Sequence, residues 1–137
     1  MGSNLSWRTE GRLHVCVHNE RDPTNVEWQR YVNSSSEHVA KLDVRILILS
    51  RGGSPSGDQR RVLMSAIGKR TKPVALLTDN AIARTVVVAM RFFNPTMKAF
   101  KTSEVSEASD FLGLTQNERG RAVVLLAELE RELAQAG

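Results

Sequence analysis

The run Ser50-Arg51-Gly52-Gly53-Ser54-Pro55-Ser56-Gly57-Asp58 brings hydroxyls, glycines and a guanidinium together between an apolar stretch, Val44 to Leu49, and a helix-like one, Gln59 to Leu63. A loop that opens a helix presents unpaired backbone N–H groups at the positive end of the helix dipole, where an anion is stabilised. Ser54 and Ser56 are therefore candidate modification sites. Gly57, Asp58 and Arg51 complete a candidate anion site, and Arg60 and Arg61 lie near enough in sequence to pair with a phosphate. The alternative is a purely local role, because serine beside glycine and proline commonly caps or lines a tight turn. Nucleotide or small-molecule binding through the same loop is a second alternative, although the Gly-Lys-Ser/Thr of a P-loop and a clean Gly-x-Gly-x-x-Gly are both missing.

His14, Cys16 and His18 have ligand chemistry and fall on one face of a strand-like stretch. Alternate strand residues lie about 6.6 Å apart, which separates His14 from His18 by about 13 Å, too far to share an ion held at roughly 2 Å. Burial under a helix is expected instead, with no metal and no cofactor. Asp22 and Asp79 fall near strand ends, where carboxylates can converge, but helix capping accounts for both. The remaining histidine and scattered serines form no recognised nucleophile signature, so no catalytic residue is assigned and the chain is read as a non-enzyme.

The elements that must position these residues follow from periodicity. Leu13 to His18 alternates with period two, and Leu5 to Thr9, before Glu10-Gly11, is its expected hairpin partner. Thr24-Asn25-Val26-Glu27 reads as a capping box for a first helix, with Trp28, Val32, Val39 and Leu42 inward and a weak middle at Asn33 to Ser36. Val44 to Leu49 reads as a central parallel strand. Asp58 is expected to cap a second helix with Val62, Leu63, Ala66 and Ile67 as its core face, and Gly68 to end it. Val74 to Thr78 is a buried strand, and Asp79 or Asn80 caps a third helix to about Phe93, stopped at Asn94-Pro95. Met97 to Lys101 is a short strand, Ser103 opens a fourth helix, and Thr115-Gln116-Asn117-Glu118 is a capping box for a fifth. The order β-β-α-β-α-β-α-β-α plus one helix implies an α/β fold with a mostly parallel sheet.

Composition narrows the function classes. At 137 residues the chain suits one core, and its 41% hydrophobic content matches a folded protein rather than a disordered one. A single cysteine excludes an internal disulfide. No apolar run is long enough to span a membrane and no leader pattern precedes the first strand, so a cytoplasmic location is expected. Met1-Gly2-Ser3-Asn4-Leu5-Ser6 fits the loose acylation pattern at Gly2 and also a common expression start. The net charge is +4, with its densest cluster at Lys69-Arg70-Thr71-Lys72. A solvated helix C-terminus explains that cluster, and aromatics at 5% are few for base stacking, so no nucleic acid is expected.

Ile46 to Asp58, Val74 to Asp79, and Arg91-Phe92-Phe93-Asn94-Pro95 leading to Lys98-Ala99-Phe100, taken with the element order, resemble the STAS superfamily, the fold of bacterial anti-sigma-factor antagonists, and in particular its small stand-alone members. The resemblance covers about residues 5 to 114. It implies a non-enzymatic regulatory module in signal transduction that docks on another protein, such as a kinase-like partner. Phosphorylation-switched antagonists carry Asp-Ser-Ser-Gly or Asp-Thr-Ser-Gly before the second helix. Here Ser54-Pro55-Ser56-Gly57 stands there, so Ser56 and Gly57 carry over while Pro55 occupies the acceptor position.

The third helix is apolar nearly all round, whereas a surface helix normally has one stripe. Arg84, Val88 and Arg91 share a side and, with Phe92, Arg60 and Arg61, form a candidate interface for an acidic-rimmed protein; coverage by the fourth or fifth helix is the alternative. In residues 115–137, appended to a 1–114 domain, Ala122, Leu126, Leu129, Leu133 and Ala136 form a seam that suits either a homodimer or docking on the domain.

Overall fold

Strand β1 (Leu5–Glu10) turns through Gly11, at φ +57°, into β2 (Leu13–His18). The two pair antiparallel, Leu5 opposite His18 and Glu10 opposite Leu13. A computed structural model describes residues 3–41, 43–67, 72–91 and 94–136. Strands β3 (Arg45–Ser50), β4 (Val74–Leu77) and β5 (Met97–Phe100) add in parallel, giving the sheet order β1-β2-β3-β4-β5. Every residue of β2 is buried, as an interior strand covered on both faces requires.

Helices α1 (Asn25–Val39), α2 (Gly57–Ile67) and α3 (Ala81–Met90) are the crossovers. Each step advances in one direction, and right-handed βαβ units then put all three helices on the same face. On this face Trp28, Tyr31 and Val32 of α1 pack with Leu5 and Cys16, and Val39 of α1 with Val44, Ile46 and Val74. The opposite face, Leu13, Val15, Val17, Leu47, Leu49, Ala75, Leu77 and Phe100, is covered by α4 (Val105–Leu112) and α5 (Gln116–Ala136). The α5 seam residues Ala122, Leu126, Leu129 and Leu133 are all buried there, so the seam docks on the sheet. A bidentate pair, Arg12 Nε and Nη2 to Glu118 at 2.7 and 2.8 Å, ties the β1–β2 turn to the start of α5.

Four local expectations are corrected. The core face of α2 is Gln59 with half-buried Leu63 and Ile67, while Val62 and Ala66 are exposed: the helix touches its neighbours along one narrow i, i+4 row. Its N-cap is Ser56, not Asp58, which sits in the first turn and pairs with Arg61. Neither Asp22 nor Asp79 caps a helix. Thr24 caps α1, Asn80 caps α3, and Asp79 instead accepts the N–H and hydroxyl of Thr102 at 3.1 and 2.7 Å. Lys72 is buried, and its ammonium donates to the carbonyls of Ala40 and Lys41 at 3.1 and 2.7 Å; the helix C-terminus it serves is that of α1. The polar middle of α1 stays helical, with Ser35 buried. Gly2, Leu42, Gly68 to Thr71, Phe92 and Phe93 lie outside the described residues.

Candidate functional site

The Ser50 to Asp58 loop follows directly from β3 because Ser50 folds the chain back on itself. Its hydroxyl donates to the Gly53 carbonyl at 2.6 Å and accepts the Gly52 N–H at 3.1 Å. Gly52 has φ +134°, a conformation that side-chain-bearing residues rarely adopt. Gly53 then presses against the connection between β2 and α1. Its N–H reaches the Asn19 carbonyl at 2.8 Å, and a Cβ there would stand 2.0 Å from the Arg21 carbonyl oxygen. Asp22, read from sequence as a helix cap, belongs instead to the Asn19 to Asp22 segment that is the loop's main support. Its signal is the cluster of turn-forming residues Asn19, Asp22 and Pro23.

Side chains of this chain already satisfy much of the loop's capacity for an anion. Asp22 Oδ1 accepts the Ser54 N–H at 3.0 Å. Ser56 and Gln59 form a reciprocal capping box, with Gln59 N–H to Ser56 Oγ at 3.1 Å and Ser56 N–H to Gln59 Oε1 at 2.9 Å. The Gln59 amide also donates to the Pro23 carbonyl and to Asn25 Oδ1, both at 3.0 Å, and the Trp28 indole donates to the Gln59 carbonyl at 2.6 Å. Gln59 thus clamps α2 to α1 and is 6% exposed. Sequence reasoning missed it, although Ser56-x-x-Gln59 is itself the capping-box pattern.

Each of the three arginines has a partner in the chain. Arg51 makes two bonds to Glu130 of α5, at 2.7 and 3.0 Å, and this carboxylate raises its pKa further. Arg60 donates to the Pro55 carbonyl at 3.0 Å, and Arg61 pairs with Asp58 on the helix surface. Gly57 has room for a Cβ, its nearest neighbours being arginine tips 3.8 and 3.9 Å away. Ser54 is exposed; Ser56 is exposed but its oxygen is engaged as the cap.

The third helix presents the other half of the candidate surface. Ile82 is 77% exposed and Val88 67%, whereas Val87 is buried. Arg84 is half-buried, and Arg91, at the C-cap, is exposed. On α2, Val62 and Met64 are also exposed.

Beneath α1 lies a buried polar chain that the loop does not use. Thr9 Oγ1 and Tyr31 Oη sit 2.8 Å from the two ring nitrogens of His14. His18 stacks on Trp28 with centroids 6.5 Å apart, and its Nδ1 has no partner among the described residues. Burial lowers both histidines to about 4, the neighbouring His38 adding to it at His14 and the carboxylates of Asp22 and Glu27 opposing it at His18. Burial likewise pushes the Cys16 thiol up to about 12. Among the described residues no set of three or more His, Cys, Asp and Glu is arranged to hold a metal, and no helix is long and apolar enough to cross a membrane. Comparison with protein-family models, with curated proteins and with solved structures finds no match to this chain.

Proposed function

We infer that the chain is a non-enzymatic, STAS-like regulatory module that docks on another protein through α3 and the start of α2. The observation that carries this reading is the solvent exposure of Ile82 and Val88 on a short, largely apolar helix, together with that of Val62 and Met64 on α2. Apolar groups left in water on two elements, with Arg60, Arg61, Arg84 and Arg91 among them, suit a partner that is apolar at its centre and acidic at its rim. The element order adds support for the STAS-like part of the reading.

Control at Ser54 is part of the proposal, with a changed mechanism. A phosphate on Ser54 would stand beside Asp22, so like-charge repulsion would lift the loop from its support rather than order it. The small-ligand alternative is less well supported, because Asp22, Ser56 and Gln59 already bond loop groups that an anion would need.

The test is affinity capture from cells with the full chain and with Val88→Glu and Gly57→Glu, followed by mass spectrometry of bound proteins and of the loop serines. A partner retained by the parent chain and lost by Val88→Glu, with unchanged thermal stability, supports the reading. Equal recovery by both variants removes it.

A further inference from the structure

The outer edge of β1 carries a row of backbone groups with no strand beside it among the described residues. Asn19 N–H bonds the Asn4 carbonyl at 3.1 Å, and Asn4 stands opposite Asn19 when the β1–β2 register is extended by one pair. Opposed residues that exchange bonds alternate with those that do not, so Ser6, Arg8 and Glu10 face β2 with their N–H and C=O groups. Leu5, Trp7 and Thr9 direct theirs outward. Beside this edge runs a groove of about 390 Å³ lined by Leu5, Ser6, Trp7 and Arg8, with Glu27 and Arg30 of α1 on one wall and Glu132 and Leu133 of α5 on the other.

We propose that this edge is a homodimer interface, in which β1 of a second copy pairs antiparallel with β1 about a two-fold axis at Trp7. The register is set by the chain itself. With the axis at Trp7, each Trp7 bonds its counterpart and each Thr9 stands opposite the other copy's Leu5, which is 3% exposed in the single chain and must be uncovered to bond. Moving the axis to Arg8 would set the two Arg8 side chains opposite each other, a destabilising like-charge pair.

The side chains are complementary in the Trp7-centred register. Trp7 is half-buried, already packed edge-on against Tyr31 with centroids 5.1 Å apart and bonded through its indole N–H to Ser34 Oγ at 2.9 Å. Its exposed portion would meet the other Trp7, a cross-strand aromatic pair. On the opposite face Arg8 would lie across from Ser6 of the other copy, with Glu132 already paired to Arg8. The two Arg8 and two Glu132 side chains therefore surround the axis with balanced charge.

The decisive measurement combines the mass of the full chain in solution with amide exchange read residue by residue. Twice the chain mass, together with slow exchange at Trp7 and Thr9 as well as at Ser6, Arg8 and Glu10, supports the pairing. Ser6→Arg sets two arginines opposite each other twice per dimer and should raise the dissociation constant roughly tenfold; adding Arg8→Glu should restore it. A chain of single mass at millimolar concentration overturns the proposal, as do solvent-rate exchange at Trp7 and Thr9 or a dimer protected elsewhere. Pairing of this edge only with an added foreign peptide would also overturn the second-copy assignment.

Discussion

Asp22 Oδ1 holds the backbone N–H of Ser54 at 3.0 Å across 32 residues of sequence, fastening the loop after β3 to the connection after β2. This bond converts a loop that looks receptive to an outside anion into one that already has its own. Ser54→Glu should therefore weaken the attachment, raising amide exchange at Gly53 and Ser54 while changing global stability by less than about 1 kcal/mol, since both side chains are exposed. Asp22→Asn in the same chain should restore part of the protection. Unchanged exchange in Ser54→Glu would show that charge at this position does not act on the loop.

Gly53 and Gly57 should respond oppositely to alanine. At Gly53 the new Cβ would meet the Arg21 carbonyl oxygen at 2.0 Å, a backbone clash that neither segment can relieve cheaply. A loss of about 3 kcal/mol is expected by chemical denaturation. At Gly57, in the first turn of α2, nothing comes closer than 3.8 Å, and alanine should be neutral or stabilise by up to about 0.5 kcal/mol.

Gln59→Ala removes a capping-box partner and leaves the Pro23 carbonyl and Asn25 without a donor. A cost of about 2 to 3 kcal/mol is expected, with the loss concentrated at the α1–α2 contact and visible as faster exchange along α2. A change below about 0.5 kcal/mol would show that the clamp is dispensable.

Acid should unfold the chain through His14 and His18. Both fall from 6.5 to about 4 on burial, so between those values the unfolded chain binds protons that the folded one does not. Their full contribution is present above about pH 6.5 and is lost as pH falls toward 4, by up to about 3 kcal/mol per histidine. His18→Phe keeps a ring against Trp28 and removes the unpartnered Nδ1, and should move the acid midpoint downward in a pH titration followed by circular dichroism. Glu118, held at about 2 by Arg12, acts in the same direction at lower pH: its stabilisation is complete above its ordinary value of 4.5 and fades as pH falls toward 2.

Cys16, with its thiol pushed up to about 12 and buried, should resist an aromatic disulfide reagent at neutral pH. Its labelling rate should rise with denaturant in step with unfolding; rapid labelling of the native chain would show that α1 opens locally.

The element order was legible because each strand carries its own period and each helix its own cap: Leu13 to His18 alternates, and Thr24-x-x-Glu27 and Thr115-x-x-Glu118 form the boxes they spell. What the sequence obscured was long-range. Val62 and Ala66 look like core beside Leu63, but how much of a helix is covered depends on neighbours that its own pattern does not name. Gln59 reads as a surface residue until Pro23 and Asn25 arrive beside it. Asp22 and Asp79 read as caps because they precede helices, yet serine and threonine groups distant in sequence claim both. The candidate loop was found by composition, while the segment that holds it was not.

The unidirectional order of the sheet also dictates a timetable for synthesis. Each new strand finds its neighbour already made, but Val15 and Val17 of β2 and Leu47 of β3 wait for α4 and α5 to cover them. A nascent chain released before α5 leaves the ribosome carries a completed sheet with one bare apolar side, so loss of the last helix should yield insoluble protein rather than a smaller folded one.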